Sequence, residues 1–220
     1  MVIKKRGRDF SPMKAPYRAV LLLLAFVMLM SGCSAKRKIV KNASEFDAYT
    51  SAYNLNKPIH FEIEFASGRI VYGEMDYYNA PITCGNFIKL CSEGYYDGLT
   101  IHRVVDGTMI QGGDKNGDGT YRNEYSIRGE FSDNGWNNRL QHVRGTMSMA
   151  RWSDDFDSAD AQFFIMCKTY YSYDGSYAAF AKITDGMGYI EELSNAPDTK
   201  VDTVPDEPIV IKTIRITGNK

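Results

Sequence analysis

The residues able to do chemistry lie in the middle and the C-terminal half of this 220-residue chain. His102 and Arg103 stand together in the string IHR. A histidine is the usual general base near neutral pH, whereas an arginine is a permanent cation with several donors in a rigid fork. Taken alone, such an arginine reads as a surface ion pair. Further on, DKNGDGTYRNE (114–124) comes close to the calcium-loop pattern D-x-[DN]-x-[DN]-G. The bidentate glutamate expected at the twelfth position is missing: Tyr125 is there, and Glu124 comes one step early. A plain glycine-rich turn is the better reading. The cysteines are Cys33, Cys84, Cys91 and Cys167. Cys84 and Cys91 are separated by two helical turns, roughly 10 Å along an axis, too far for a disulfide. They read as small buried hydrophobes. No CxxC or paired His/Cys spacing suggests zinc, and no metal or cofactor is expected.

Four segments in order give these residues a context: GYYDGLTIHRVVDGTMIQGGD (94–114), RGTMSMAR (144–151), AQFFIM (161–166) and YDGSYAAFAKITDGM (173–187). Together they closely resemble the signature of the cyclophilin-type peptidyl-prolyl isomerases, over about residues 58–218. The resemblance implies catalysis of Xaa-Pro rotation, with Xaa-Pro polypeptides as partners. That reaction makes no bond to the enzyme, so it requires no nucleophile, metal or general base. It requires an apolar pocket for the ring and a donor that favours the twisted amide. By the same resemblance Arg103 is the donor and Gln111 helps to position it. Met109 and Phe164 form the pocket, and Ala150 and Gln162 line the groove and bond the peptide backbone. His102 is carried over as a structural neighbour rather than a base. Without the resemblance, Met109 and Phe164 would be read as core.

The pattern departs from the family at three pocket positions. Thr108 stands where phenylalanine is usual, Ser172 or Tyr171 replaces the usual tryptophan or phenylalanine, and Tyr173 replaces leucine. Tyr177 falls where the family has histidine or tyrosine. The missing aromatic at Thr108 implies a shallower substrate pocket, with weaker binding of peptides and of cyclosporin-type ligands. Trp152 is a candidate replacement wall, weighed against an ordinary loop tryptophan. These departures keep a second reading open, a proline-binding or chaperone module with little turnover on the same scaffold.

The elements that must position these residues are mostly strands. Ile59, Phe61, Ile63 and Phe65 alternate with His60, Glu62 and Glu64, a half-buried strand. Ser67-Gly68 turns it into a returning strand through Ile70 and Tyr72, a hairpin. Pro81 opens a helix that Gly94 closes, and a second short helix is expected over Met187–Leu193 with Asp185 as N-cap. The chain ends in PIVIKTIRITG, again alternating. Many short strands and two helices predict a mainly β fold, a closed eight-stranded antiparallel barrel with two capping helices.

The N-terminus reads as an address. Ala19–Met30 is an unbroken apolar run, short for a membrane span but suited to a signal peptide, with basic residues before it. MSGC then resembles the lipobox of bacterial lipoproteins, with Met30 where leucine is favoured. The expected organisation is therefore a signal peptide over 1–32, lipidation at Cys33, a polar tether over 33–57, and the isomerase domain over 58–220. Met13 is an alternative start that gives a signal of more usual length. The expected location is outside the cytoplasm, at a bacterial membrane through the lipid anchor. With 26 basic and 27 acidic residues and a net charge of −1, nothing in the charge favours a nucleic-acid partner.

Overall fold

The computed structural model describes residues 37–195 and 204–219; the expected signal peptide, Met13 and Cys33 lie outside them. Among the described residues ten strands are formed: β1 (Lys38–Val40), β2 (Ile59–Phe65), β3 (Ile70–Met75), β4 (Thr100–Val105), β5 (Met109–Asp114), β6 (Tyr125–Ile127), β7 (Thr146–Met149), β8 (Phe163–Met166), β9 (Ala179–Asp185) and β10 (Ile209–Gly218). Eight of them close a barrel in the order β10-β2-β3-β9-β7-β8-β5-β4, and every pairing in it is antiparallel. The alternation in β2 does what period two requires: its four apolar side chains are buried and the three polar ones half-buried. Gly68 makes the β2–β3 turn at φ 83°, a left-handed conformation that suits glycine.

Inside the barrel, Phe61, Phe87, Phe163 and Phe180 are fully buried together with Tyr96. Phe87 comes from a helix and lies 5.2–6.2 Å from the rings of the other four, closing one barrel end with aromatic contacts. Of the helices, α1 is a single turn (Asp47–Thr50), α2 spans Pro81–Ser92 and α3 Met187–Ser194. Pro81 occupies the first turn of α2, where its missing N–H costs nothing. Its N-cap, Ala80, has no polar side chain to accept from the first amides. Glu130 does the capping instead, accepting from the Ile82 N–H at 2.9 Å and the Thr83 N–H at 2.8 Å. Burial, opposed by these donors, raises the pKa of Glu130 to about 7. Gly94, at φ 64°, follows the end of α2. At α3 the cap is Gly186, at φ 85°, not Asp185. Asp185 accepts the Gly186 N–H one position too early to reach the helical amides. Cys84, Cys91 and Cys167 are all free and buried.

From Arg37 onward the polar segment is packed on the domain rather than free as a tether. β1 pairs in parallel with β6, Lys38 opposite Tyr125 and Val40 opposite Ile127. A 3-10 turn (Ala43–Phe46) follows and buries Phe46 to 3% exposure. Gly85 of α2 permits this approach, because a Cβ there would stand 2.8 Å from the Phe46 Cβ. The charged composition of the segment hides two buried apolar side chains, Val40 and Phe46, which suffice to dock it.

Candidate active site

A second apolar cluster lies on the outer face of the barrel, apart from the interior. It consists of Met109, Phe164 and Met166, with Val105, Ala150, Tyr173 and Tyr177 packed against it. Alternation along single strands separates the two regions. In β8, Phe163 and Ile165 belong to the interior, and Phe164 and Met166 to the outer cluster. In the ladder Arg103 of β4 stands opposite Gln111 of β5, and Gln111 opposite Phe164 of β8. The guanidinium-bearing position and the apolar pocket are therefore one or two strand spacings apart, at about 4.8 Å per strand.

Amide side chains orient the arginine in a chain. Arg103 Nη1 donates to Gln111 Oε1 at 3.0 Å, and Gln111 Nε2 donates to Gln162 Oε1 at 2.9 Å. Gln162 Nε2 in turn donates to Asp114 Oδ1 and to the Gly119 carbonyl, both at 3.1 Å. Each amide accepts from one neighbour and donates to the next, so each bond polarises the following one. The Asp114 carboxylate also accepts the N–H groups of Asp118, Gly119 and Tyr121. This is how the loop resembling a calcium site uses its first aspartate: it folds the turn and anchors Gln162. Gly113 is required at the base, because at φ 91° a Cβ would lie 2.6 Å from the Ala161 carbonyl oxygen.

Of the residues expected to act, Arg103, Gln111, Gln162 and Ala150 line one cavity of about 370 Å³, together with His102 and Trp152. Ala150 also packs on the apolar cluster and so joins the two parts of the site. Thr108 is not in the cluster. Its hydroxyl turns back in the β4–β5 turn to the Asp106 carbonyl at 3.2 Å. Tyr171 and Ser172 are exposed in a 3-10 turn, whereas Tyr173 and Tyr177 stand edge-on to Phe164 at 5.9 and 5.6 Å. Trp152 lines the polar cavity rather than replacing a wall of the apolar pocket, and the Arg122 guanidinium lies 4.1 Å over its ring. His102 is 3% exposed, and neither ring nitrogen has a hydrogen-bond partner among the described residues. Burial lowers its pKa and so favours the uncharged ring.

The sequence reading missed His142. Its buried ring stacks on Phe164, with centroids 5.9 Å apart and planes at 18°. Nδ1 donates to Asp174 at 2.8 Å, and Nε2 accepts from the Ser148 hydroxyl at 3.1 Å. Burial lowers its pKa despite the Asp174 carboxylate. Nothing near His142 in the sequence signals this role. Met166 was visible in principle, since it lies two residues beyond Phe164 in a strand.

Comparison with known proteins gives this arrangement its relatives. Residues 60–216 match the family model described as cyclophilin type peptidyl-prolyl cis-trans isomerase/CLD. Over 177 residues the chain is 32% identical to peptidyl-prolyl cis-trans isomerase A of Dickeya dadantii, covering 77% of this chain and 90% of that protein. It is 35% identical over 139 residues to peptidyl-prolyl cis-trans isomerase B of Bacillus subtilis, covering 63% and 85%. A crystal structure of a Cryptosporidium parvum cyclophilin type peptidyl-prolyl cis-trans isomerase superposes with a TM-score of 0.66 at 28% identity, over 74% of this chain and 99% of that one. A second, in the presence of the dipeptide Ala-Pro, gives 0.61 at 31% identity, over 73% and 99%. With its barrel, its ordered motifs and a match over most of its length, the chain belongs to the cyclophilin-type peptidyl-prolyl cis–trans isomerase family.

Proposed function

We propose that this chain accelerates Xaa-Pro isomerisation in exported polypeptides at the outer face of a bacterial membrane, held there by a lipid on Cys33. The observation that carries the catalytic part is the fixed Arg103 guanidinium in a cavity that Ala150 joins to the apolar cluster of Met109, Phe164 and Met166. Rotation about an Xaa-Pro bond passes a barrier of about 18–20 kcal/mol because amide resonance is lost. In the twisted state the proline nitrogen regains a lone pair and can accept a hydrogen bond. Met109, Phe164 and Met166, walled by Tyr173 and Tyr177, receive the ring. Arg103, pre-oriented through Gln111 and Gln162, donates to the group whose basicity rises only on twisting, so it favours the transition state over either planar form. Gln162 and the backbone at Ala150 fix the peptide chain alongside.

The location rests on the apolar run Ala19–Met30 followed by MSGC. Among the described residues no helix is long and apolar enough to cross a membrane. Two measurements test the proposal. An NMR-exchange assay on an Ala-Pro peptide should show catalysis by the parent and its loss in Arg103→Ala; equal, uncatalysed rates for both overturn the catalytic part. Radiolabelled palmitate should mark the parent and not Cys33→Ala in bacterial membranes, and an unlabelled parent overturns the anchor.

A further inference from the structure

The segment before the family match contacts a residue that lines the Arg103 cavity. Residues 37–57 precede the matched region 60–216, yet Arg37 reaches the site's own scaffold. Its Nη2 donates to Asp160 Oδ2 at 2.7 Å and to the Tyr125 carbonyl at 2.8 Å. The Asp160 side chain is 8% exposed and lines the same cavity as Arg103, Gln111 and Gln162. Asp160 is also a junction: its carboxylate accepts the N–H groups of Asn123 at 3.0 Å and Ala161 at 2.6 Å. Its carbonyl accepts from Asn86 of α2, which itself accepts the Tyr125 hydroxyl. Two residues on stands Gln162, the amide that aligns Gln111 and through it Arg103.

We propose that Arg37 is a positioning residue for the isomerase site: docked by β1, it neutralises and holds Asp160, and so fixes the Asp160–Gln162 segment on which the Gln162–Gln111–Arg103 chain depends. The physical reason is the position of Asp160 between a packed interior and an open cavity. Without Arg37 a nearly buried carboxylate keeps only backbone amides as partners. Turning toward the cavity then becomes its route to water, and that motion carries the Gln162 backbone with it. The lysine next in sequence makes a useful contrast, because Lys38 pairs with Glu45 on the exposed side of the same strand.

The inference rests on the isomerase reading of the groove, and the test separates the two. In the full chain, kcat and KM on an Ala-Pro tetrapeptide are measured by NMR exchange, and the side-chain amide resonances of Gln111 and Gln162 are recorded without peptide. Arg37→Ala should lower kcat/KM about 3- to 10-fold, chiefly in kcat, and shift both amide resonances. Arg37→Lys should recover part of each effect, and Lys38→Ala should leave both as in the parent. An Arg37→Ala protein that melts lower but keeps parental rates and amide positions overturns the inference, because the strand is then structural only. If Arg37→Ala does not fold, the near-isosteric Asp160→Asn decides in the same way, with parental values overturning it. If the parent itself has no activity, the isomerase reading fails, and the amide resonances still decide the coupling to Arg37.

Discussion

The barrel interior and the pocket on its outer face are built from the same strands and meet at adjacent residues, Phe163 and Phe164. The interior is closed on every side: Phe61, Phe87, Tyr96, Phe163 and Phe180 are each at most 1% exposed and pack ring against ring. The outer cluster is smaller and is built from two methionines, a phenylalanine and partly buried tyrosines, with the polar His142 ring stacked against it. Methionine adapts its shape to what it touches, and the cluster adjoins a cavity. Burial serves stability in the interior; in the outer cluster nearly buried apolar side chains are joined by Ala150 to the rim of that cavity.

Truncating the two neighbours separately should affect different properties. Phe163→Ala should cost about 3–5 kcal/mol of unfolding free energy, the usual cost of an aromatic cavity in a closed core. Phe164→Ala should cost clearly less stability and more of the affinity for Xaa-Pro peptides, read by denaturant unfolding and by peptide titration. Equal stability losses would erase the distinction between the regions. Next in size is Arg103→Ala. Removing a pre-oriented donor lowers rates by about 10²–10³-fold, roughly 2.7–4 kcal/mol, and here the melting temperature should not move. Arg103→Lys should fall between, since a lysine keeps the charge but not the fork.

The two regions should also titrate with opposite sign. Glu130, buried under α2 at the closed side, has its pKa raised from 4.5 to about 7. The folded state therefore holds a proton that the unfolded state has lost, and this contribution to stability disappears as pH rises from about 4.5 to 7. The effect is on the order of 3 kcal/mol. His142 behind the pocket has its pKa lowered. Its contribution is present above the unfolded value of 6.5 and is lost as pH falls toward the folded one. Melting curves at pH 5 and 8 should then show Glu130→Gln with a flatter decline toward high pH than the parent. An unchanged slope would remove Glu130 as its source.

How much of this was legible depended on the range of the signal. Period-two alternation placed β2, β3 and β10, and the strands of the ordered motifs set Arg103, Gln111 and Phe164 opposite one another across β4, β5 and β8, because strand register preserves what local pattern announces. Contacts between distant segments were not legible. Glu130 caps a helix that begins 49 residues earlier at Pro81, and Arg37 meets an aspartate 123 residues away. The region around Val40 and Phe46 read as a tether because its few apolar residues follow no period, yet each finds a prepared place on β6 or α2.

The smallest expected effect concerns Thr108, whose hydroxyl is turned into the β4–β5 turn while Met109 beside it enters the cluster. Thr108 supplies no aromatic wall to the cluster, whose Tyr173 and Tyr177 stand edge-on to Phe164. Thr108→Phe would add apolar surface facing a bound proline, of which the useful part contributes about 1–2 kcal/mol at 25 cal/mol per Å². That corresponds to a gain of roughly 5- to 30-fold in affinity for an Xaa-Pro peptide. Because Arg103 and its amide chain are untouched, kcat should stay near the parental value, and titration calorimetry beside the exchange assay separates the two. A gain in kcat without tighter binding would mean that the wall acts on the twisted state itself. The division between an apolar pocket that binds and a polar chain that catalyses would then have to be redrawn at Thr108.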